Sequence, residues 1–236
     1  MKIHKKSPLK DRPLRTPGQS LDDEIQKVID DEVISYLLLP MMMIVGTIGN
    51  WLLWYQIIKL PNPWITTGLT ITLVIYSYFR LLKVKKRLKA LRQGRDGERA
   101  VGQHLDGLKR KGYRVYHDLI GDGFNIDHVI ICEQGVFSIE TKTYSKPDKG
   151  ECKIVADGDG ISINGYKPEK NILIQAEAQK SWLEKQVAKL TGIKVSVKPV
   201  IVFPGWYVES KSSGNNVWVL EPKALPTFIN NAPKTL

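Results

Sequence analysis

Residues 125–142 read NIDHVIICEQGVFSIETK, from Asn125 to Lys142, and this stretch decides the fold of the region around it. Ile126 to Cys132 and Val136 to Thr143 are β-rich runs, and Glu133-Gln134-Gly135 between them is a short turn with glycine where a positive φ is needed. Strict alternation places Val136, Ser138, Glu140 and Lys142 on one face of the second strand and Phe137, Ile139 and Thr141 on the other. Antiparallel pairing carries Asp127, at the start of the first strand, toward Glu140 and Lys142. Two carboxylates and an ammonium therefore converge at the end of an apolar strand.

That set suits metal-assisted phosphodiester hydrolysis. Mg²⁺ takes hard oxygen ligands, commonly one or two carboxylates completed by water and phosphate oxygens, and it activates water while neutralising charge on the phosphoryl group. A neighbouring lysine can position the water or stabilise the transition state electrostatically. Spacing alone leaves a salt-bridge ladder on the surface as the other reading. Glu-x-Lys occurs four times, beginning at Glu140, Glu151, Glu209 and Glu221, and only the first ends an apolar strand hairpinned to another that bears an aspartate.

Outward from this hairpin, residues 96–236 have the pattern of a mixed α and β domain. Asp96 to Lys111 carries Val101, Leu105 and Leu108 at helical spacing and stops at Gly112. Glu98 lies on the same apolar line, either as an inward carboxylate with a partner or as a first-turn acid favoured by the helix dipole. Tyr113 to Leu119, Cys152 to Ala156, Ile161 to Ile163, Val195 to Phe203 and Val217 to Leu220 read as further strands, with a hairpin around Asp157-Gly158-Asp159-Gly160. Asn171 to Thr191 reads as a long helix with the stripe Ile172, Ala176, Gln179, Leu183, Val187 and Leu190. Pro222 to Asn230 reads as a short final helix that Pro226 interrupts.

The N-terminal part is of another kind. Val33 to Ile58 holds 26 residues and Leu60 to Phe79 holds 20, neither run containing a charge. At about 1.5 Å per residue these reach about 39 and 30 Å, against about 30 Å of bilayer hydrocarbon. The prolines of Leu60-Pro61-Asn62-Pro63 make a turn, ringed by Trp51, Trp54, Tyr55 and Trp64 at the depth of a headgroup boundary. The expectation is a transmembrane helical hairpin over 33–82, with helices at about 33–58 and 60–82, the first kinked at Pro40. Residues 1–32 precede it and a basic juxtamembrane linker over 83–95 follows. Arg80 to Arg95 carries eight positive charges in sixteen positions and no acid. The positive-inside rule then puts both termini and residues 96–236 on the cytoplasmic side, in a bacterial inner membrane. The first apolar run begins too far from residue 1 and is too long for a signal peptide.

Composition is consistent with this division. The 236 residues hold 35 Lys and Arg against 24 Asp and Glu, a net charge of +11, with a pI near 9.5 and a mean hydropathy of -0.21. These values exclude collagenous, disulfide-stapled and wholly disordered chains. The excess charge is concentrated: residues 1–95 carry +9 and residues 96–236 carry +2. It lies beside the spans, where it sets topology and can meet anionic lipid through residues 80–95. Cys132 and Cys152 are too few for a disulfide framework and have no metal-site spacing, so both are expected as packed free thiols.

Gly94-Arg-Asp-Gly-Glu98, Asn125-Ile-Asp127-His128-Val129, Gly135-Val-Phe-Ser-Ile-Glu140-Thr-Lys142, Asn171 and Gln175-Ala176 occur in that order. From about Gly94 to Pro204 the chain resembles the NERD (nuclease-related) domain, which is related to the PD-(D/E)xK nucleases. The resemblance implies an α/β fold with a restriction-endonuclease-like core, a mixed central sheet flanked by helices, preceded here by the two-helix hairpin. It implies Glu98, Asp127, Glu140, Lys142 and Gln175 as catalytic residues. Asp127, Glu140 and the Thr141 carbonyl would hold Mg²⁺ (or Mn²⁺), and the partner would be nucleic acid, DNA with RNA also open. Gln179 serves helix packing as readily as the site, and His128, on the opposite strand face from Asp127, reads as a packed or hydrogen-bonded histidine. Thr143-Tyr144-Ser145 after the lysine and Ile172 after Asn171 depart from the family pattern without removing a catalytic group. A catalytically inactive membrane anchor that binds nucleic acid or another partner on a nuclease-like fold is the alternative, and a structural membrane protein gripping anionic lipid is a third reading.

Overall fold

The computed structural model describes residues 13–56, 62–147, 152–157, 160–168, 172–210 and 216–236. They fall into two units, one of residues 21–93 and one of residues 94–236 together with the N-terminal segment up to Ser20.

In the first unit, α1 (Gln19–Val28) passes through a π-helical turn at Ile29–Val33 into α2 (Ile34–Tyr55), which continues through Pro40. Residues 57–61, holding the end of the first expected span and half of the expected turn, lie outside the described residues. Asn62 then starts α3 (Pro63–Asp106). Its Oδ1 accepts the Trp64 amide at 3.1 Å, and Pro63 stands at the first helical position, where a missing N–H costs nothing.

The two long helices run antiparallel, and hydroxyl and amide groups join them. Thr47 and Thr70 share a hydrogen bond of 2.7 Å, Asn50 Nδ2 donates to Thr66 Oγ1 at 3.1 Å, and Trp51 Nε1 donates to Thr67 Oγ1 at 3.0 Å. Outside that seam the apolar side chains are exposed, among them Met42 at 67% and Val45 at 64%. Both helices are long and apolar enough to cross a membrane by length and composition.

The linker expected over Lys83 to Arg95 is helical instead, an uninterrupted part of the 44-residue α3. Lys, Arg, Leu, Val, Ala and Gln fill this stretch with neither proline nor, before Gly94, glycine, so nothing local stops the helix. It gives way to a 3₁₀ turn at Gly107–Lys111 and ends at Gly112, whose φ of 88° only glycine adopts readily.

In the second unit the chain continues through β1 (Arg114–Ile120), β2 (Asn125–Cys132), β3 (Gly135–Thr141), β4 (Lys153–Asp157), β5 (Gly160–Ile163), α4 (Ile172–Thr191), β6 (Val197–Val202), β7 (Tyr207–Ser210), β8 (Trp218–Leu220) and α5 (Leu225–Asn230). The main sheet has the order β1-β2-β3-β6-β8, antiparallel from β1 to β3 and parallel from β3 to β8. A parallel neighbour requires a crossover, and α4 supplies it between β3 and β6. The expected β4–β5 hairpin belongs to a separate three-stranded sheet of order β5-β4-β7. The sequence reading has no counterpart to β7, a four-residue polar strand whose pairing with β4 is long-range. Pro226 falls in the first turn of α5 rather than interrupting it, after a 3₁₀ turn at Pro222–Ala224 capped by Glu221.

Every residue of β3 is buried, so this strand is covered on both faces. Phe137 and Ile139 pack with Val101 and Leu105 of α3, while Val136 packs with Leu183 of α4. The polar members of the strand, Ser138 and Glu140, are enclosed with them.

Candidate active site

The hairpin register pairs His128 with Ile139, which sets Asp127 across from Glu140 one step further on. Lys142 follows at the end of the same strand, its backbone N–H held by the Val202 carbonyl of β6 at 2.9 Å. Its Nζ donates to Glu140 Oε1 at 2.5 Å and to Gln175 Oε1 at 3.0 Å. Gln175 Nε2 in turn donates to Glu140 Oε1 at 2.8 Å. One turn along α4, Gln179 Nε2 donates to Glu140 Oε2 at 2.5 Å and to the Asn125 carbonyl at 2.9 Å. Gln179 is thus both a helix-packing residue, 2% exposed, and a clamp on the carboxylate. Asn171 lies outside the described residues.

Glu98 reaches this group from α3. A Cβ built on the preceding Gly97 would stand 1.9 Å from Thr143 Oγ1, so only a glycine lets the helix backbone come this close to the chain just past β3. The consequence is electrostatic. Burial, then the negative charges of Asp118 and Glu140, push the Glu98 carboxyl from its ordinary 4.5 to about 7, against the opposing charge of Lys142. Burial first, then Glu140 and Glu98, also hold Asp127 well above the usual carboxylate range, opposed by the Thr141 amide and Lys142. Three carboxylates face one ammonium, and the excess is negative.

A divalent cation fits that excess. Asp127 Oδ2 accepts the Thr141 N–H at 2.7 Å, and because a strand residue directs its N–H and C=O to the same edge, the Thr141 carbonyl opens toward Asp127 as well. Among the described residues no three His, Cys, Asp or Glu side chains form a cage by themselves. Two carboxylates and a backbone carbonyl, with water and phosphate completing the shell, match the habit of Mg²⁺ rather than that of a closed structural site.

Asp118 joins the site's electrostatics although the sequence reading passes over it. It is 2% exposed and adopts a φ of 51°, unusual for a residue other than glycine. Its Oδ2 accepts from Arg15 Nε at 2.6 Å, and from the Ser20 amide and hydroxyl at 2.9 Å each. A lone aspartate in the β-rich run Tyr113 to Leu119 was the available signal; its partners, some hundred residues earlier, carry none. His128 is fully buried, with Nδ1 2.9 Å from Nδ1 of His117, whose Nε2 lies 3.0 Å from Asp106. Burial, then the neighbouring His117, lowers His128 to about 3, which keeps it neutral. This is the packed, hydrogen-bonded histidine that the alternation implies. Cys132 and Cys152 are both free thiols.

Residues 93–204 match the family model of the nuclease-related domain, NERD. The match begins inside α3, ends just beyond β6, and contains Glu98, Asp127, Glu140, Lys142, Gln175 and Gln179. The mixed sheet with flanking helices accords with a nuclease-like domain. An uncharacterized protein of Bacillus anthracis is 42% identical over 57 residues, covering 22% of this chain and 27% of its own length. The chain therefore matches only about a quarter of that relative. No solved structure matches.

Proposed function

We propose that this chain is a membrane-anchored nuclease that hydrolyses phosphodiester bonds of DNA, and of RNA where it is offered, with Mg²⁺ or Mn²⁺. The observation that carries the reading is the convergence of Glu98, Asp127 and Glu140 around Lys142 inside the region matched by the nuclease-related family. Asp127, Glu140 and the Thr141 carbonyl would hold the cation, which when bound supplies charge neutralisation and an acidified water. Gln175 and Gln179 hold Glu140 in one orientation from a single helix face. Lys142, whose side chain is 23% exposed, presents its ammonium to a phosphoryl oxygen or an attacking water. The Glu98 carboxyl, which takes up and releases a proton near neutral pH, is suited to proton transfer beside it.

Two observations support the membrane part: both long helices expose apolar faces, and the run Arg80 to Arg95 carries eight basic side chains and no acid. The positive-inside rule then places both termini and the catalytic unit in the cytoplasm of a bacterium. Each basic side chain near an anionic surface adds about 1 kcal/mol of lipid contact.

The full chain, purified in detergent, is expected to cut DNA or RNA with Mg²⁺ or Mn²⁺ and to stop with EDTA. Glu140→Gln, with unchanged circular dichroism, is expected to lower the rate at least about a hundredfold. Cleavage at the original rate would overturn the reading. A second reading, nucleic-acid binding without turnover, draws on one observation: both Glu140 oxygens already accept hydrogen bonds, from Lys142, Gln175 and Gln179. Binding that persists in Asp127→Ala and Glu140→Gln while the parent chain cuts nothing would select it.

A further inference from the structure

Tyr144, Lys146, Asn164, Tyr166, Lys167 and Trp206 line a groove of about 470 Å³ that the catalytic constellation does not use. Two chain segments frame it. Tyr144 to Pro147 continue from β3, beginning two residues beyond Lys142, and Tyr166 to Pro168 precede α4, the helix that carries Gln175 and Gln179.

The groove's wall and its rim differ. Trp206 is 2% exposed and its Nε1 donates to the Tyr144 carbonyl at 3.4 Å, while the Tyr144 ring stacks on Phe203 with centroids 6.2 Å apart. The wall is thereby fixed. Tyr166 instead stands 80% exposed. Its backbone closes a tight turn with Ile163, through hydrogen bonds of 2.8 and 3.0 Å, over Asn164 and Gly165 at φ of 48° and 83°. The ring is thus presented to solvent from a rigid turn. Lys146 and Lys167 are exposed on the same rim, and neither has a carboxylate partner among the described residues.

We propose that this groove binds a single-stranded segment of nucleic acid running to or from Lys142, with Tyr166 stacking on a base and Lys146 and Lys167 contacting phosphates. Every base offers a π-face once unstacked, so an exposed ring beside exposed lysines binds single strands with little regard to sequence. A duplex keeps its bases within the helix and gives the ring nothing to stack on. This inference rests on nucleic acid being the substrate of the adjoining site.

The test is fluorescence anisotropy of the full chain in nanodiscs, with EDTA present so that nothing is cut. Labelled oligothymidylate, oligouridylate and a DNA duplex of equal length are the probes. Both single strands are expected to bind more tightly than the duplex, and their ratio separates DNA from RNA as the preferred strand. Tyr166→Ala is expected to weaken single-strand binding about tenfold while Tyr166→Phe leaves it unchanged. Lys146→Gln with Lys167→Gln is expected to reduce the salt slope of log K by about 1.4, two phosphate contacts on a single strand. Duplex binding as tight as single-strand binding, or no loss in Tyr166→Ala, would overturn the groove. Tyrosine-dependent binding without cleavage in Mg²⁺ would remove the nuclease reading and leave the groove standing. Conversely, an unchanged kcat/KM for single strands in Tyr166→Ala would remove the groove and leave the nuclease.

Discussion

The two units of this chain bury opposite things. Residues 21–93 expose Leu, Ile, Met and Val along two long helices and keep threonine hydroxyls in the seam between them, with Thr70 at 7%. The unit that begins at Gly94 buries Asp118, Asp127, His128 and Glu140 and closes an apolar core around them. In each case the side chains that look misplaced are the ones that the proposed surroundings would accommodate. Exposed apolar faces are stable where hydrocarbon replaces water. Buried carboxylates are stable where hydrogen bonds and a cation replace it.

The largest expected effect comes from making the first unit obey water's rule. Val45→Asp with Ile71→Asp places a charge on the exposed face of each long helix, at about 3 kcal/mol apiece near the centre of a span. The chain is expected to leave the carbonate-resistant membrane fraction, whereas Tyr207→Asp, equally exposed but in the other unit, is expected to change nothing. Retention of the double variant in the membrane would break the contrast between the units.

Next is the close approach that admits Glu98. Gly97→Ala drives a methyl group into Thr143, and overpacking of this kind costs about 1–3 kcal/mol. A lower thermal midpoint and slower cleavage are expected together, and Thr143→Ala in the same chain is expected to recover much of both. If Gly97→Ala is silent, the packing of α3 does not set the position of Glu98.

A smaller effect tests the buried charge. Glu98 binds a proton more tightly folded than unfolded, so its contribution to stability is fully present below about pH 4.5 and is lost as pH rises through about 7. Without divalent ions, Glu98→Gln is expected to flatten the fall in thermal midpoint between pH 5 and 8 and to raise the midpoint at pH 8. Mg²⁺ is expected to restore the parent chain at pH 8. An unchanged pH profile in Glu98→Gln would show that Glu98 is not crowded by the other carboxylates.

The smallest concerns the seam. Thr70→Val removes one interhelical hydroxyl pair, about 0.6 kcal/mol by the average for such bonds within membranes. A slightly lower denaturation midpoint in detergent, with unchanged cleavage, is expected; a large loss would mean that the polar seam rather than helix packing holds the hairpin.

How much of this could be read beforehand depends on the distance over which each contact is made. The hairpin of β2 and β3, and with it the approach of Asp127 to Glu140 and Lys142, rests on alternation and a short turn, which closes over Glu133 and Gln134 with Gly135 already paired to Cys132. Gln175 and the ambiguity over Gln179 were legible as positions on a helix. That Gln179 clamps Glu140 was not, since helical spacing says which residues share a face but not what the face meets. The ion pair of Arg15 with Asp118 joins residues 103 apart, and no local pattern marks either partner. The separate sheet of β4, β5 and β7 escaped for the same reason: β7 is too short and too polar to announce itself, and its pairing is decided elsewhere in the chain. The unbroken course of α3 through 83–95 has no signature in composition, because the change there from apolar to basic side chains does not interrupt a helical backbone.

By itself the sequence determined the two uncharged helices, the alternation of β3 and the chemical identity of the acids and the lysine, because these follow from periods of a few residues and from side-chain type. Only the tertiary structure decided that Glu98 stands with Asp127 and Glu140, that Gln179 and Gln175 hold one carboxylate, and that Asp118 adds its charge from a distance. Those depend on α3, α4 and the N-terminal segment packing on the strand ends, and the carboxyl of Glu98 has its raised affinity for a proton because that packing buries it and sets it beside the charges of Asp118 and Glu140.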